Sequence, residues 1–221
     1  MAPAPFFIVG SGRSGTTMLR LMLDAHPDVA VPAESHFVDE LARAWPRYVR
    51  AGRIDADAVV RSIGKRLDLM GIPRGEARER LAALPTTAVS DAVDSVFRIY
   101  ADAHGKSRWG DKTPGYVLSM PLLAEVFPGS RFVHLIRDGR EVALSYADQP
   151  FGPRNVWETR QQRSFLHRGD PCPCAVETLA LTSGIAEGKK SLTTSDTGYT
   201  MMACVKDFRD NGAKTREAPR A

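Results

Sequence analysis

Between Gly10 and Thr17 the chain reads Gly-Ser-Gly-Arg-Ser-Gly-Thr-Thr. Glycines at Gly10, Gly12 and Gly15 let a backbone turn sharply and approach a ligand closely, and a helix pattern begins immediately afterwards. A helix start aims free N–H groups and a positive dipole end at an anion. Gly12, Arg13, Ser14, Gly15, Thr16 and Thr17 therefore make a candidate phosphate cradle. Its spacing follows the nucleotide-binding P-loop except that Thr16 stands where that motif requires lysine, and the cation is Arg13 inside the loop. Three further groups could do chemistry. Glu34, with His36 two residues on, offers a proton acceptor. Lys112, in Asp111-Lys112-Thr113-Pro114, offers a second cation, or else Asp111 and Lys112 form a surface ion pair at a helix start. Arg137 closes an apolar run and Ser145 lies eight residues later, a spacing that returns to one helix face. Arg140 could assist Arg137 or pair with Glu141 or Asp138.

The elements that must position these groups follow from the hydrophobic pattern. Phe6 to Val9 reads as a strand, followed by the glycine loop and a helix through Met18, Leu19, Met22 and Leu23 that ends near His26. Pro27 and Pro32 bracket a brief second strand, Val29 to Val31. Helical pieces are expected over Phe37–Val49, Asp55–Leu69, Glu76–Leu84 and Val89–His104, an insertion over about residues 37–105 lying across one edge of a sheet. Trp109 to Pro114 reads as a loop, Val117 to Phe127 as a helix, and Arg131 to Ile136 as a strand buried on both faces. A helix follows to about Ala147. Strands alternating with helices predict an α/β fold with its ligand site beyond the carboxyl ends of the strands. From Thr159 to Ala221 no sustained strand alternation is expected, apart from an apolar cluster around Val176 to Leu181.

Composition narrows the class. The 221 residues are 43% hydrophobic, and 30 Lys+Arg against 26 Asp+Glu leave a net charge of +4. That suits one globular domain and is too mild to argue for nucleic acid. No apolar run reaches the roughly 18 residues of a membrane span, and no basic region precedes the short apolar start, so a cytoplasmic protein is expected. Cys172, Cys174 and Cys204 make no disulfide framework, and Cys172-Pro173-Cys174 lacks the second half of a zinc site. Lys189 and Lys190 read as solvated.

The run GSGRSGTTMLRLMLDAHPDVAVPAES, Gly10 to Ser35, resembles the 5′-phosphosulfate loop and first helix of sulfotransferases that use 3′-phosphoadenosine 5′-phosphosulfate. The likeness is greatest to the branch holding the protein-tyrosine sulfotransferases and many bacterial members. RFVHLIRDGREVALS, Arg131 to Ser145, resembles the second half of the family signature, and the likeness runs from about Phe6 to Trp157. It implies a P-loop-like, three-layer α/β fold with a central parallel sheet and a helical insertion, incomplete at the C-terminus, with a sulfotransferase-like domain over 1–157 and an atypical tail over 158–221. It also implies sulfuryl transfer to an acceptor hydroxyl by in-line displacement, without a metal. Arg13 and Lys112 would stabilise charge, Glu34 would be the base with His36 its rival, and Arg137 with Ser145 would clamp the donor's 3′-phosphate. The acceptor could be a small molecule, carbohydrate, lipid or peptide. Ala33 stands where tyrosine-specific members carry an acidic residue, which weighs against a peptide tyrosine. The family's R-Y-E-D-L-like strand has no counterpart between Thr159 and Ala221. A nucleotide-binding protein without turnover and a P-loop kinase are the alternative readings.

Overall fold

The computed structural model describes residues 3–137, 139–147, 149 and 201–207. Among the described residues five strands form the main sheet: β1 (Phe6–Gly10), β2 (Val29–Ala30), β5 (Arg108–Lys112), β6 (Arg131–Arg137) and β7 (Met201–Asp207), in spatial order β2-β5-β1-β6-β7. The first four run parallel, with Phe6 opposite both Gly110 and Arg131, while β7 closes the β6 edge antiparallel, Met201 opposite Arg137. A short hairpin, β3 (Val49–Arg50) and β4 (Arg53–Ile54), stands apart from the sheet.

Alternation along the strands sends side chains to two helical layers. Phe6 and Ile8 of β1 pack with Val31 and Leu135 against Leu19 and Leu23 of α1 (Thr16–Asp24). Phe7 and Val9 face the other way, into a larger core shared with α2 (Val38–Ala44), α3 (Ala56–Met70), α4 (Arg74–Ala83), α5 (Val89–Ala103) and α6 (Met120–Val126). Helices of the insertion, together with α6, therefore pack on this face of the sheet, with α5 against β5 and β2. The insertion's anchor is aromatic. Phe97 of α5 stacks on Trp109 of β5 with ring centroids 4.3 Å apart, and the Trp109 indole N–H donates to Asp94 at 2.7 Å. Phe7 adds an edge-on contact to Trp109 and a stacked one to Phe132.

Several elements differ from the sequence reading. Trp109 to Lys112 is not a loop: it belongs to β5, buried from Trp109 onward. Its Gly-Asp-Lys composition hides the strand, because Gly110 is small only to admit the Phe6 ring across the pair and Asp111 is satisfied by tertiary partners. The expected helix over 37–49 ends at Ala44 and continues as a 3-10 turn, Trp45–Tyr48, at Pro46, and the helix expected from Val117 is a 3-10 turn over Pro114–Ser119 followed by α6. The segment after Thr159 does contribute a strand, β7, which the mixed polarity of its surroundings concealed. The helix α7 (Gly139–Ala147) follows β6 directly. The apolar cluster from Val176 to Leu181 lies outside the described residues.

Candidate functional site

All four parallel strands end at one edge, and each delivers one of the groups singled out in the sequence. Past β1, Gly10 turns the chain at φ +152°, where an added methyl would strike the Leu135 carbonyl, and Gly15 enters α1 at φ +90°. Arg13 itself is left-handed at φ +63°. Among the described residues no side chain caps α1, so its first-turn N–H groups stay available to an anion. The Ser14 hydroxyl is fully buried and has no partner among the described residues. A buried hydroxyl without a partner is costly in a folded chain, and an anionic oxygen seated in the loop would relieve that cost. A Cβ at Gly12 would overlap the Tyr146 hydroxyl of α7, so the loop is closed over by that helix. The loop fits an anionic group such as a phosphate.

The cations gather here. Arg13 Nε donates to Ser145 Oγ at 3.1 Å, and Arg137 donates to the Arg13 carbonyl at 2.8 Å and to Glu141 at 2.9 Å. The expected convergence of Arg137 and Ser145 thus runs through Arg13, and Arg137 also pairs with Glu141. Lys112, only 4% exposed, bonds Glu34 Oε1 and lies 3.3 Å from Thr17 Oγ1. The reading of Asp111 and Lys112 as a surface ion pair is overturned: consecutive residues of a strand face opposite ways, so Lys112 meets the loop and α1 while Asp111 enters the insertion side.

There Asp111 is fully buried. It accepts from the Ser35 and Thr113 hydroxyls and from the Ser35 backbone N–H. Burial pushes its carboxyl up to about 7, the three hydrogen bonds pulling back only in part and the Glu34 charge adding to the rise. The chain of bonds continues from Ser35 to the Tyr116 hydroxyl at 2.8 Å, which accepts from the Val38 N–H at 2.8 Å. Burial likewise raises the Tyr116 phenol. This network ties the β2–α2 connection to the end of β5, and with it Glu34 to Lys112. Sequence reasoning missed Ser35, Thr113, Tyr116 and the role of Asp111; the signal was there, since two of them flank Glu34 and Lys112.

Glu34 accepts from Lys112 on one oxygen and contacts His36 Nε2 at 2.6 Å on the other. Burial opposes its charge, but Lys112 and then His36 outweigh burial and hold its carboxyl below the ordinary range. Beside them lies a cavity of about 490 Å³ whose walls include His36, Asp39, Tyr48, Arg66, Thr113 and Tyr116. Among the described residues no group of three or more His, Cys, Asp or Glu is arranged to hold a metal, and no helix is long and apolar enough to cross a membrane. Asp138, the Arg140 side chain, Cys172, Cys174, Lys189 and Lys190 lie outside the described residues, and of Cys204 only the backbone, in β7, is described.

Comparison with known proteins meets this geometry. Protein-tyrosine sulfotransferase 1 of Danio rerio is 31% identical over 137 residues, 61% of this chain and 32% of its own length. Protein-tyrosine sulfotransferase 2 of Gallus gallus is 32% identical over 137 residues, 61% of this chain and 31% of its own. Nodulation protein NoeE of Sinorhizobium fredii is 27% identical over 150 residues, 66% of this chain and 32% of its own. The chain spans about a third of the length of these curated relatives. The pattern of the Sulfotransferase family matches residues 5–169, from the start of β1 past α7. With most of its length matched and the paired sequence signatures lying together at one sheet edge, the chain belongs to the Sulfotransferase family.

Proposed function

We propose that the chain moves a sulfuryl group from 3′-phosphoadenosine 5′-phosphosulfate to an acceptor hydroxyl by in-line displacement. The observation that carries this reading is Lys112, whose ammonium group bonds Thr17 of the glycine loop and Glu34 of the β2–α2 connection at once. One cation thus joins an anion cradle to a proton-accepting group, as a transfer between a phosphate-bound donor and a hydroxyl requires. The bound donor supplies the sulfuryl group and a phosphate leaving group, which keeps the electron pair of the broken S–O bond while the acceptor oxygen forms the new one.

The remaining work falls to the chain. The N–H groups of Ser14 to Thr17 and the Ser14 hydroxyl hold the anion. Arg13 offers a planar guanidinium able to hold two oxygens, and Lys112 a point charge on the other side. Arg137 fixes the Arg13 backbone and, with Ser145, is assigned to the 3′-phosphate. The pair Glu34 and His36 receives the acceptor proton. The relatives, two named protein-tyrosine sulfotransferases and one named a nodulation protein, leave the acceptor class of this chain broad: a hydroxyl on a small molecule, carbohydrate, lipid or peptide.

The test has two arms. Purified protein is incubated with the donor and a panel of hydroxyl acceptors, and binding of the product adenosine 3′,5′-bisphosphate is measured by calorimetry. Transfer to at least one acceptor is expected, with Arg13→Ala weakening bisphosphate binding by roughly 10- to 100-fold, the worth of one charge-assisted contact. Binding without transfer to any acceptor supports the nucleotide-binding alternative, and neither binding nor transfer refutes the proposal.

A further inference from the structure

We propose that the cavity walled by α2 and α3 is a saccharide subsite, in which Glu40 and Arg66 select a sugar as the acceptor. The inference rests on the sulfuryl-transfer reading above for the reaction and narrows its acceptor class. The volume of about 490 Å³ lies within the roughly 300–1,000 Å³ of clefts that hold small-molecule ligands. The walls include His36, which contacts Glu34 at 2.6 Å, and Thr113, next in the chain to Lys112. A molecule seated there brings a hydroxyl to the reacting groups.

The charges in the walls point to the class. Glu40, Leu41 and Ala44 of α2 and Ser62, Ile63 and Arg66 of α3 recur at helical spacing, so each helix turns one face to the cavity. Asp39, also in the wall, is already engaged: its carboxylate accepts from Arg43 at 2.8 Å, from Ser119 at 2.7 Å and from the Glu40 N–H at 3.0 Å. Other arginines of the insertion are paired too, Arg74 with Asp68, Arg80 with Glu76 and Asp102, and Arg98 with Asp94. Glu40 and Arg66 differ. Both are exposed, and neither the carboxylate nor the guanidinium has a partner among the described residues.

A lipid chain or a simple phenol filling this space would strip water from both charges and return no hydrogen bond, which is costly. Sugar hydroxyls do return them: a hydroxyl donates to the carboxylate or accepts from the guanidinium, each a charge-assisted bond, and one ring carries several hydroxyls. The rest of the wall is apolar or aromatic. Tyr48 is half-buried, and Phe37, Leu41 and Ile63 are buried among the core residues. Such a mixed wall suits a ring that is polar at its rim and apolar on its C–H face. In the reaction one sugar hydroxyl gives its proton to the Glu34 and His36 pair. Its oxygen bonds sulfur as the bond from sulfur to the donor's phosphate oxygen breaks, the electron pair staying with the phosphate.

The test reads binding and transfer separately on the full-length protein. Saturation-transfer NMR titrations with neutral and N-acetylated disaccharides and trisaccharides should show binding to the wild type. Arg66→Gln and Glu40→Gln should each weaken it by roughly 10- to 100-fold, the worth of a charge-assisted bond. Arg61→Gln changes an exposed arginine of α3 that does not line the cavity, and should bind as the wild type does. In transfer assays the same saccharides should be better acceptors than 4-nitrophenol, a long-chain alcohol or a tyrosine-containing peptide. The two cavity variants should raise the saccharide KM, and their unchanged affinity for adenosine 3′,5′-bisphosphate certifies that they are folded. No saccharide binding, binding that neither variant weakens, or preferred transfer to the phenol, alcohol or peptide would overturn the saccharide assignment while leaving sulfuryl transfer standing. Saccharide binding that the variants weaken, with no transfer to any acceptor, upholds the subsite and defeats the reaction.

Discussion

Replacing Asp111 by asparagine should remove most of one component of the protein's pH-dependent stability. Asp111 is wholly buried and its carboxyl is raised from 3.8 to about 7, chiefly by burial. A carboxyl whose folded pKa lies above its unfolded value binds its proton more tightly in the folded state. Its contribution to stability is complete below about pH 4 and is lost as pH climbs through about 7. Each pKa unit corresponds to about 1.4 kcal/mol, so between about pH 5 and pH 8 the wild type should lose roughly 2.5 kcal/mol that Asp111→Asn, with nothing to titrate, does not. For a chain of this size that is a relative shift of about 5 to 10 °C in Tm. The Glu34 carboxyl is shifted the opposite way, so its contribution disappears only as pH falls below the ordinary carboxylate range, outside this window. Thermal melts of both proteins across the range give the difference directly, and any constant cost of the amide's lost acceptor cancels. Parallel melting curves, or a wild type that gains on the variant as pH rises, would refute a buried, proton-binding Asp111.

Other consequences can be checked in the same preparations. Gly110→Ala places a methyl group into the Phe6 ring, and should destabilise by about 1–3 kcal/mol in a urea titration; an unchanged midpoint would contradict the close β1–β5 packing. Phe97→Ala removes the ring stacked on Trp109 and should cost about 3–5 kcal/mol, read from the same titration. Transfer should persist in chelator because Arg13 and Lys112 supply the charge that magnesium supplies in phosphoryl transfer, whereas an absolute magnesium requirement would favour kinase chemistry.

Local signals were legible where one segment carries its own reason. The glycine loop announces a tight turn because Gly10 and Gly15 take conformations a side chain resists, and the first helix is written in the spacing of Leu19 and Leu23. The strand Arg131 to Arg137 shows its burial in its apolar run. Strand β5 was not legible, because its Gly110, Asp111 and Lys112 are strand residues only by virtue of the Phe6 ring, Ser35 and Glu34, all distant in sequence. The same is true of β7, an edge strand defined by pairing to β6.

Residue type sets the chemistry available: an anion loop with Arg13 in place of the usual lysine, carboxylate and imidazole at Glu34 and His36, and cations at Lys112 and Arg137. Those identities are local, and residue type alone bounds what each group can donate or accept. Tertiary structure decided which group faces which. Alternation along β5 sends Lys112 to the loop and its neighbour Asp111 into the core, and the Ser35–Asp111–Tyr116 network turns His36 toward the cavity with Glu34 behind it. Such assignments depend on register between strands far apart in the chain, and register is settled only when the faces of the sheet are buried.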